Sequence, residues 1–143
     1  MSMGIIESGE YNKVAGLGGD AGEGNTIESH TLLAASLADG VATTVAQVTI
    51  PKGKWLILGQ LHTKPFPVSD NFLTLAISTN GTAAEGEVVD QRRQVQGIWG
   101  FVQGMMFVDS ITGPITIKLV GVANGGVSVA VIKAEIAAIK IPD

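Results

Sequence analysis

The chain has 143 residues, enough for one domain that buries a core without metal or disulfide support. It contains no cysteine, which excludes disulfides, thiolate nucleophiles and thiolate metal sites. Charged residues make up 15% of the chain, against roughly 25% in an ordinary soluble domain, and the net charge is −4. So few charges favour a surface that packs against other subunits, because the cores of protein interfaces are depleted in charge.

The charge pattern also argues against two classes of partner. No basic patch stands out beyond Arg92 and Arg93, so we expect no binding to nucleic acid. The first residues lack the basic start and long apolar stretch of a signal peptide. The longest uncharged run, residues 94–108, is interrupted by three glycines, so we expect no membrane span. These features predict a chain that is made in the cytoplasm.

Residues 1–40 differ in composition from the rest and are predicted to form an extended N-terminal arm. Five of the eleven residues from 15 to 25 are glycine, which loses the most backbone entropy on ordering. Residues 29–38 fit either one or two helical turns or an extended path along a neighbour. The apolar side chains predicted to anchor the arm on a partner are Ile5, Ile6, Tyr11, Val14 and Leu17.

From residue 41 to the end at residue 143 the chain is predicted to be one β-sandwich domain. Apolar residues alternate with a period of two, and glycine, proline, asparagine and aspartate punctuate the segments. The predicted strands are 41–50, 54–63, 72–79, 85–91, 95–108, 114–122 and 127–141. Segment 54–63 is apolar on both faces, which predicts cover on both sides, and the polar segment 85–91 is predicted at a sheet edge. A bulge predicted at Ala137–Ala138 would turn Ile139 and Ile141 inward.

No set of polar residues in this sequence has the pattern of a reaction centre. His30 and His62 show no metal-binding spacing, and no serine or histidine has an activated context. Convergence of Asp70, Asp90 and Asp109 on a cation is a minor alternative to ordinary turn chemistry. We therefore predict no enzymatic activity, no cofactor and no metal.

Two parts of the chain resemble a known family. The segment Val48–Ile57, with the sequence VTIPKGKWLI, looks like a segment of jelly-roll domains of the complement-globular-head and tumour-necrosis-factor-like type. The ending Ala134–Ile141 is similar to the closing strand of the same domains. Such domains are found in tailed-phage structural proteins, namely decoration, head-fibre and tail-fibre proteins. The resemblance covers residues 41–141 and implies an antiparallel jelly-roll β-sandwich of about eight strands that forms a homotrimer.

The large side chains of the β region supply candidates for the trimer contact. Trp55 is predicted in the core. Residues 97–107 are apolar on both phases, so one face needs a second cover, and an ordinary sandwich interior is the alternative to a subunit interface. The residues predicted at the trimer interface are Trp99, Phe101, Met105 and Phe107.

These observations predict a virion structural protein. The expected role is a trimeric decoration or cement protein on the capsid surface of a tailed phage, made in the host cytoplasm. Its arm would bind subunits of the major capsid protein. The alternative is a tail-fibre or head-fibre tip that binds a host receptor or glycan through residues 64–71, 80–86 and 109–114. Aromatic residues are scarce in those loops, with Phe66 alone, which argues against a sugar site.

Overall fold

The computed structural model describes residues 26–67, 71–80, 86–110 and 112–142, and every regular element in them is a β-strand. The strands are β1 Thr26–Ser29, β2 Ser36–Leu37, β3 Thr43–Ile50, β4 Gly53–Thr63, β5 Asn71–Ser78, β6 Glu87–Gln94, β7 Gly100–Ser110, β8 Ile115–Asn124 and β9 Val129–Ile141. No helix long and apolar enough to cross a membrane occurs among these residues.

The strands form two sheets that pack face to face. The front sheet has the order β1-β9-β4-β7, with the short β2 also beside β9. The back sheet has the order β3-β8-β5-β6. All strand pairs are antiparallel, so the predicted all-β antiparallel sandwich is confirmed. The polar strand β6 lies at the edge of the back sheet, as its sequence predicts.

The core lies between the sheets and follows from the alternation along each strand. In β4, Trp55, Ile57 and Leu61 point inward and are buried, which confirms Trp55 as a core residue. The indole Nε1 of Trp55 donates a hydrogen bond to the Pro51 carbonyl oxygen at 3.0 Å, so its polar group is satisfied. Each inward residue removes apolar surface from water, which stabilises the fold by roughly 25 cal/mol per Å² of apolar surface buried.

The sandwich begins earlier along the chain than the expected residue 41. Strands β1 and β2 both pair with β9, and Leu37 is fully buried in the core. Between β1 and β2, the backbone N–H of Leu33 donates a hydrogen bond to the Val45 carbonyl oxygen at 2.9 Å, which attaches this segment to β3. Residues 26–40 therefore follow an extended path over their own domain. The predicted anchoring residues of the arm, Ile5, Ile6, Tyr11, Val14 and Leu17, lie outside the described residues.

The predicted bulge at Ala137–Ala138 is wrong. These residues pair without interruption with Leu58 and Ile57 of β4. The register shift in this pair of strands lies at Ile132 instead, between the partners of His62 and Thr63. Alanine is small enough for either face, so the alternation continues through both alanines and places Ile139 on the outer face.

Candidate interaction surface

The outer face of the front sheet carries an apolar strip that no other described element covers. Two rows of paired residues cross the strands β9, β4 and β7 in that order. The strip consists of Ile139, Leu56 and Phe107 in one row and Ala137, Leu58 and Met105 in the next. Phe107 is 56% exposed, Met105 62% and Ile139 36%, and Leu56 and Leu58 are half-buried. Large apolar side chains that adjoin on one face mark an interaction surface.

The strip arises from the two-sided apolar pattern of β4. Inward residues such as Ile57 are covered by the back sheet, whereas outward Leu56 and Leu58 find no second layer among the described residues. The outer face of the back sheet differs in character. There β3 and β8 present Gln47 and Lys118, and the hydroxyls of Thr49 and Thr116 hydrogen-bond at 3.0 Å. The back sheet also has exposed apolar residues, with Phe72 38% and Val88 58% exposed, but only on the front sheet do exposed apolar residues adjoin in paired rows across three strands.

A polar cluster adjoins the strip on the same face. The next row of paired residues is Glu135, Gln60 and Gln103. The Glu135 carboxylate accepts hydrogen bonds from Gln60 Nε2 and from His30 Nδ1. His30 Nε2 lies 3.0 Å from Glu28 Oε1. Because both ring nitrogens contact carboxylates, the arrangement suits a protonated imidazolium. These residues line a shallow depression of about 690 Å³.

Contacts within the cluster shift the pKa values of His30 and Glu135. Partial burial alone would lower the pKa of His30, but hydrogen bonds to Glu28 and Glu135 outweigh it, and the pKa is raised. Burial alone would raise the pKa of Glu135, but hydrogen bonds from His30 and Gln60 outweigh it, and the pKa is lowered. Desolvation, and then the charge of Lys133, lower the pKa of His62. An ion pair between His30 and the two carboxylates is therefore favoured at mildly acidic pH.

Two of the three carboxylates considered as a cation site, Asp90 and Asp109, are described, and they do not lie close together. Asp90 lies beside Gln103 and pairs with Arg92 at 2.8 Å. Asp109 stands six residues beyond Gln103 on β7, about 20 Å away at 3.3 Å per residue. Asp70 lies outside the described residues. Within the described ranges, no group of three or more His, Asp or Glu side chains is arranged to hold a metal ion.

The structure brings together two of the four residues predicted at the trimer interface. Met105 and Phe107 both belong to the apolar strip. Phe101 points outward on the same strand but lies in a polar row, with its ring 4.6 Å from that of His62. Trp99, 61% exposed, precedes β7 in a loop, roughly 26 Å along the chain from Phe107. The strip also contains four residues that were not predicted at the interface, namely Leu56, Leu58, Ala137 and Ile139.

A second exposed apolar feature is the loop of residues 95–99 at one end of the sandwich. Val95, Ile98 and Trp99 are each more than half exposed. The loop is held in place because Gly97 donates its backbone N–H to the Phe66 carbonyl at 3.2 Å. The ring of Phe66 itself is fully buried, so the one aromatic residue of the neighbouring loop is a core residue and offers no platform to a sugar.

The fold is similar to that of viral capsid proteins. One match is the VP2 protein of infectious bursal disease virus in its subviral particle, with 20% identity and a TM-score of 0.57 over 80% of this chain. The T13 particle of the same virus gives 19% identity and a TM-score of 0.56 over 81% of this chain. The chain is a jelly-roll β-sandwich.

The extent of these similarities is limited to one part of the capsid protein. The chain spans about a third of the length of the matched proteins, at 32% and 31%. No family model and no curated protein matches the sequence. At 19–20% identity the similarity shows the fold. The complement-globular-head and tumour-necrosis-factor-like type, which the sequence resembles, stays a prediction.

Proposed function

We propose that this chain is a structural protein of a virus particle, without enzymatic activity, that forms a homotrimer and decorates the capsid surface of a tailed phage. The apolar strip on the front sheet carries the proposal. The similarity of the fold to proteins of viral and subviral particles supports it. Made in the host cytoplasm, the protein would join the particle there.

The strip and its neighbours have the composition of a protein interface. Protein interfaces combine an apolar core with a polar rim, and aromatic residues and methionine are enriched in that core. Phe107 and Met105 supply the core, and the row that contains Gln60 and Gln103 supplies the rim. A stable interface buries about 800 Å² per partner, so the contact would extend from the strip onto these polar neighbours.

The arm completes the proposed role by binding subunits of the major capsid protein. One arm with a few apolar residues, such as Ile5 and Ile6, binds weakly because ordering it costs entropy. Three arms on one trimer bind together, since the first contact raises the effective concentration of the other two. Decoration would therefore require both the trimer and the arms.

Light scattering on the purified full-length chain tests the trimer. We expect three times the chain mass of 14.7 kDa for the wild type and a smaller mass for Phe107→Asp, which places a charge at the centre of the strip. Gln47→Asp on the outer face of the back sheet is the matched control and should keep the trimer. A wild-type monomer, or a Phe107→Asp variant that remains trimeric, contradicts assembly through this strip. Co-sedimentation of the trimer with capsids then tests decoration.

A host-binding tip at the end of a fibre is the second candidate, and the exposed apolar loop 95–99 favours it. Exposed Ile98 and Trp99 would meet a receptor while the front sheet holds the trimer. Trp99→Ala should then abolish adsorption to host cells and leave the trimer mass unchanged. If this variant still binds cells fully, the fibre-tip role is contradicted. If the protein also co-sediments with capsids, decoration is supported as its function.

A further inference from the structure

The strand β7 has one edge that is closed in its first half and open in its second. β7 ends the order of the front sheet, so only one of its edges is paired, with β4. In its first half the other edge is covered by β6, whose Val89 lies against Gly104. There Gln103 donates its backbone N–H to the Asp90 carboxylate at 3.0 Å. Beyond Gly104, no described strand pairs with this edge.

The hydrogen bond of Gln103 identifies which backbone groups face the open edge. In an antiparallel strand the N–H and C=O of one residue point to the same side, and the side alternates from residue to residue. The N–H of Gln103 points away from β4, so those of Met105, Phe107 and Asp109 point away as well. The amides of Met106 and Val108 point toward β4 and are paired there. The open edge therefore presents three residues that no described strand pairs, in the spacing that an added strand needs.

A depression of about 730 Å³ runs beside this open edge. Its lining includes the apolar Met106 and Ile115 and the carboxylates of Glu87 and Asp109. Met105 and Phe107 of the apolar strip also line it. A strand added here would gain backbone hydrogen bonds on one side and would bury apolar side chains on both faces.

We propose that residues 11–17 of a neighbouring copy bind the open edge of β7 as an added antiparallel strand, an inference that rests on the proposed homotrimer. Lys13 is the one cation among residues 1–25, and the open edge is acidic. With Lys13 beside Asp109, Leu17 comes beside Met105. Alternation places Tyr11, Lys13 and Leu17 on the outer face with the apolar strip and turns Val14 toward the depression.

The place where the described chain begins makes the docking reachable. Thr26 lies in β1 opposite Ile139, in the row of the strip that contains Phe107. The arm thus leaves its own domain beside the face proposed to pack against a neighbour. Residues 18–25 span at most about 26 Å, and a strand on the β7 edge of the same domain would lie four strand spacings of about 4.8 Å from β1. The linker is therefore long enough for the chain's own edge as well as for that of a neighbour packed on the strip, and the cross-link described below distinguishes the two. Residues 1–10, with Ile5 and Ile6, then extend beyond the trimer toward the coat.

Amide hydrogen exchange on the full-length trimer tests the added strand. We expect slow exchange at Met105, Phe107 and Asp109 in the wild type, and at least tenfold faster exchange in the full-length variant Val14→Asp. Met106 and Val108 are the internal controls, because their amides pair with β4 in both proteins. Rapid exchange at all three edge residues of a wild-type trimer overturns the inference. It does not contradict the proposed homotrimer, because the mass of the trimer is measured separately by light scattering.

Disulfide cross-linking tests which copy supplies the strand. The chain has no cysteine, so Lys13→Cys combined with Asp109→Cys introduces a single reactive pair. Directly opposite residues of two strands stand within the range that a disulfide needs. Linked dimers and trimers on a non-reducing gel support the proposal. A linked monomer, or cross-linking no better than that of Lys13→Cys with Gln47→Cys, overturns it.

Discussion

Gly59 of β4 and Gly104 of β7 are paired directly across the front sheet, and both positions face the interior. The space that a side chain at Gly59 would need is occupied by Leu119 of the back sheet. A Cβ at Gly104 would lie 2.7 Å from Val89 Cγ2 of β6. Gly59 therefore makes room for Leu119, and Gly104 lets β6 approach β7 closely enough for Asp90 to meet Gln103, which covers the first half of the β7 edge.

Substitution of Gly59 by alanine should destabilise the fold. The added methyl group overpacks the core at Leu119, at a cost of about 1–3 kcal/mol. In the double variant with Leu119→Ala, the space left by leucine accommodates the methyl group. The free energy of unfolding should therefore fall by less in the double variant than the sum of the falls in the two single variants. Urea unfolding of the four proteins measures this coupling. Strict additivity would show that Gly59 and Leu119 do not compete for the same space.

Because residues 26–40 belong to the sandwich, we expect two leucines of this segment to contribute unequally to the free energy of unfolding. Leu37 is fully buried, and Leu37→Ala should cost about 2–4 kcal/mol through lost burial and the remaining cavity. Leu33 is 48% exposed, and Leu33→Ala should cost about 1 kcal/mol or less. Chemical denaturation distinguishes the two. Equal small losses would mean that this segment is dispensable for the fold.

The ion cluster around His30 predicts a pH dependence of stability. The folded pKa of His30 is raised, so its contribution is present below its unfolded pKa and is lost as the pH rises through the folded value. The folded pKa of Glu135 is lowered, so its contribution is present above its unfolded pKa and is lost as the pH falls through the folded value. The cluster should therefore stabilise most between about pH 4.5 and 6.5.

The matched measurement compares wild type with His30→Gln by urea unfolding at pH 5.5 and pH 8. The difference between them should be larger at pH 5.5. His62, which faces Lys133 and has a lowered pKa, titrates in the opposite sense in both proteins and cancels in this comparison. A difference that does not change with pH would contradict an ionic role for His30.

The contact between Asp90 and Gln103 predicts a local and a global effect. Asp90→Ala removes a charged hydrogen-bond acceptor that is mostly buried, so we expect a loss of about 1–2 kcal/mol. The Gln103 amide should then exchange faster, because the Asp90 carboxylate is its hydrogen-bond acceptor. Asp109→Ala, at an exposed position of the same strand, is the control. An unchanged Gln103 exchange rate would show that the carboxylate does not protect this edge.

Most of the fold could be predicted from the sequence, and the functional surface only in part. Alternation and turn residues predicted the strands around Trp55 correctly, because these signals act between near neighbours. Met105 and Phe107 were predicted as interface residues, and both lie on the strip. Ile139 was missed, since two consecutive alanines fit either face and hid the phase of β9. Trp99 was placed in a strand, but the turn at Gly97 ends that segment before β7 begins.

The sequence by itself determined the class of the protein: a low-charge, cysteine-free antiparallel sandwich whose strand β4 is apolar on both faces. Only the tertiary structure decided which of those faces stays uncovered and which edge stays open. The side-chain period of a strand is a local property, whereas pairing between strands brings together residues far apart in the chain. Leu56, Phe107 and Ile139 form one surface because β4 pairs with both β7 and β9.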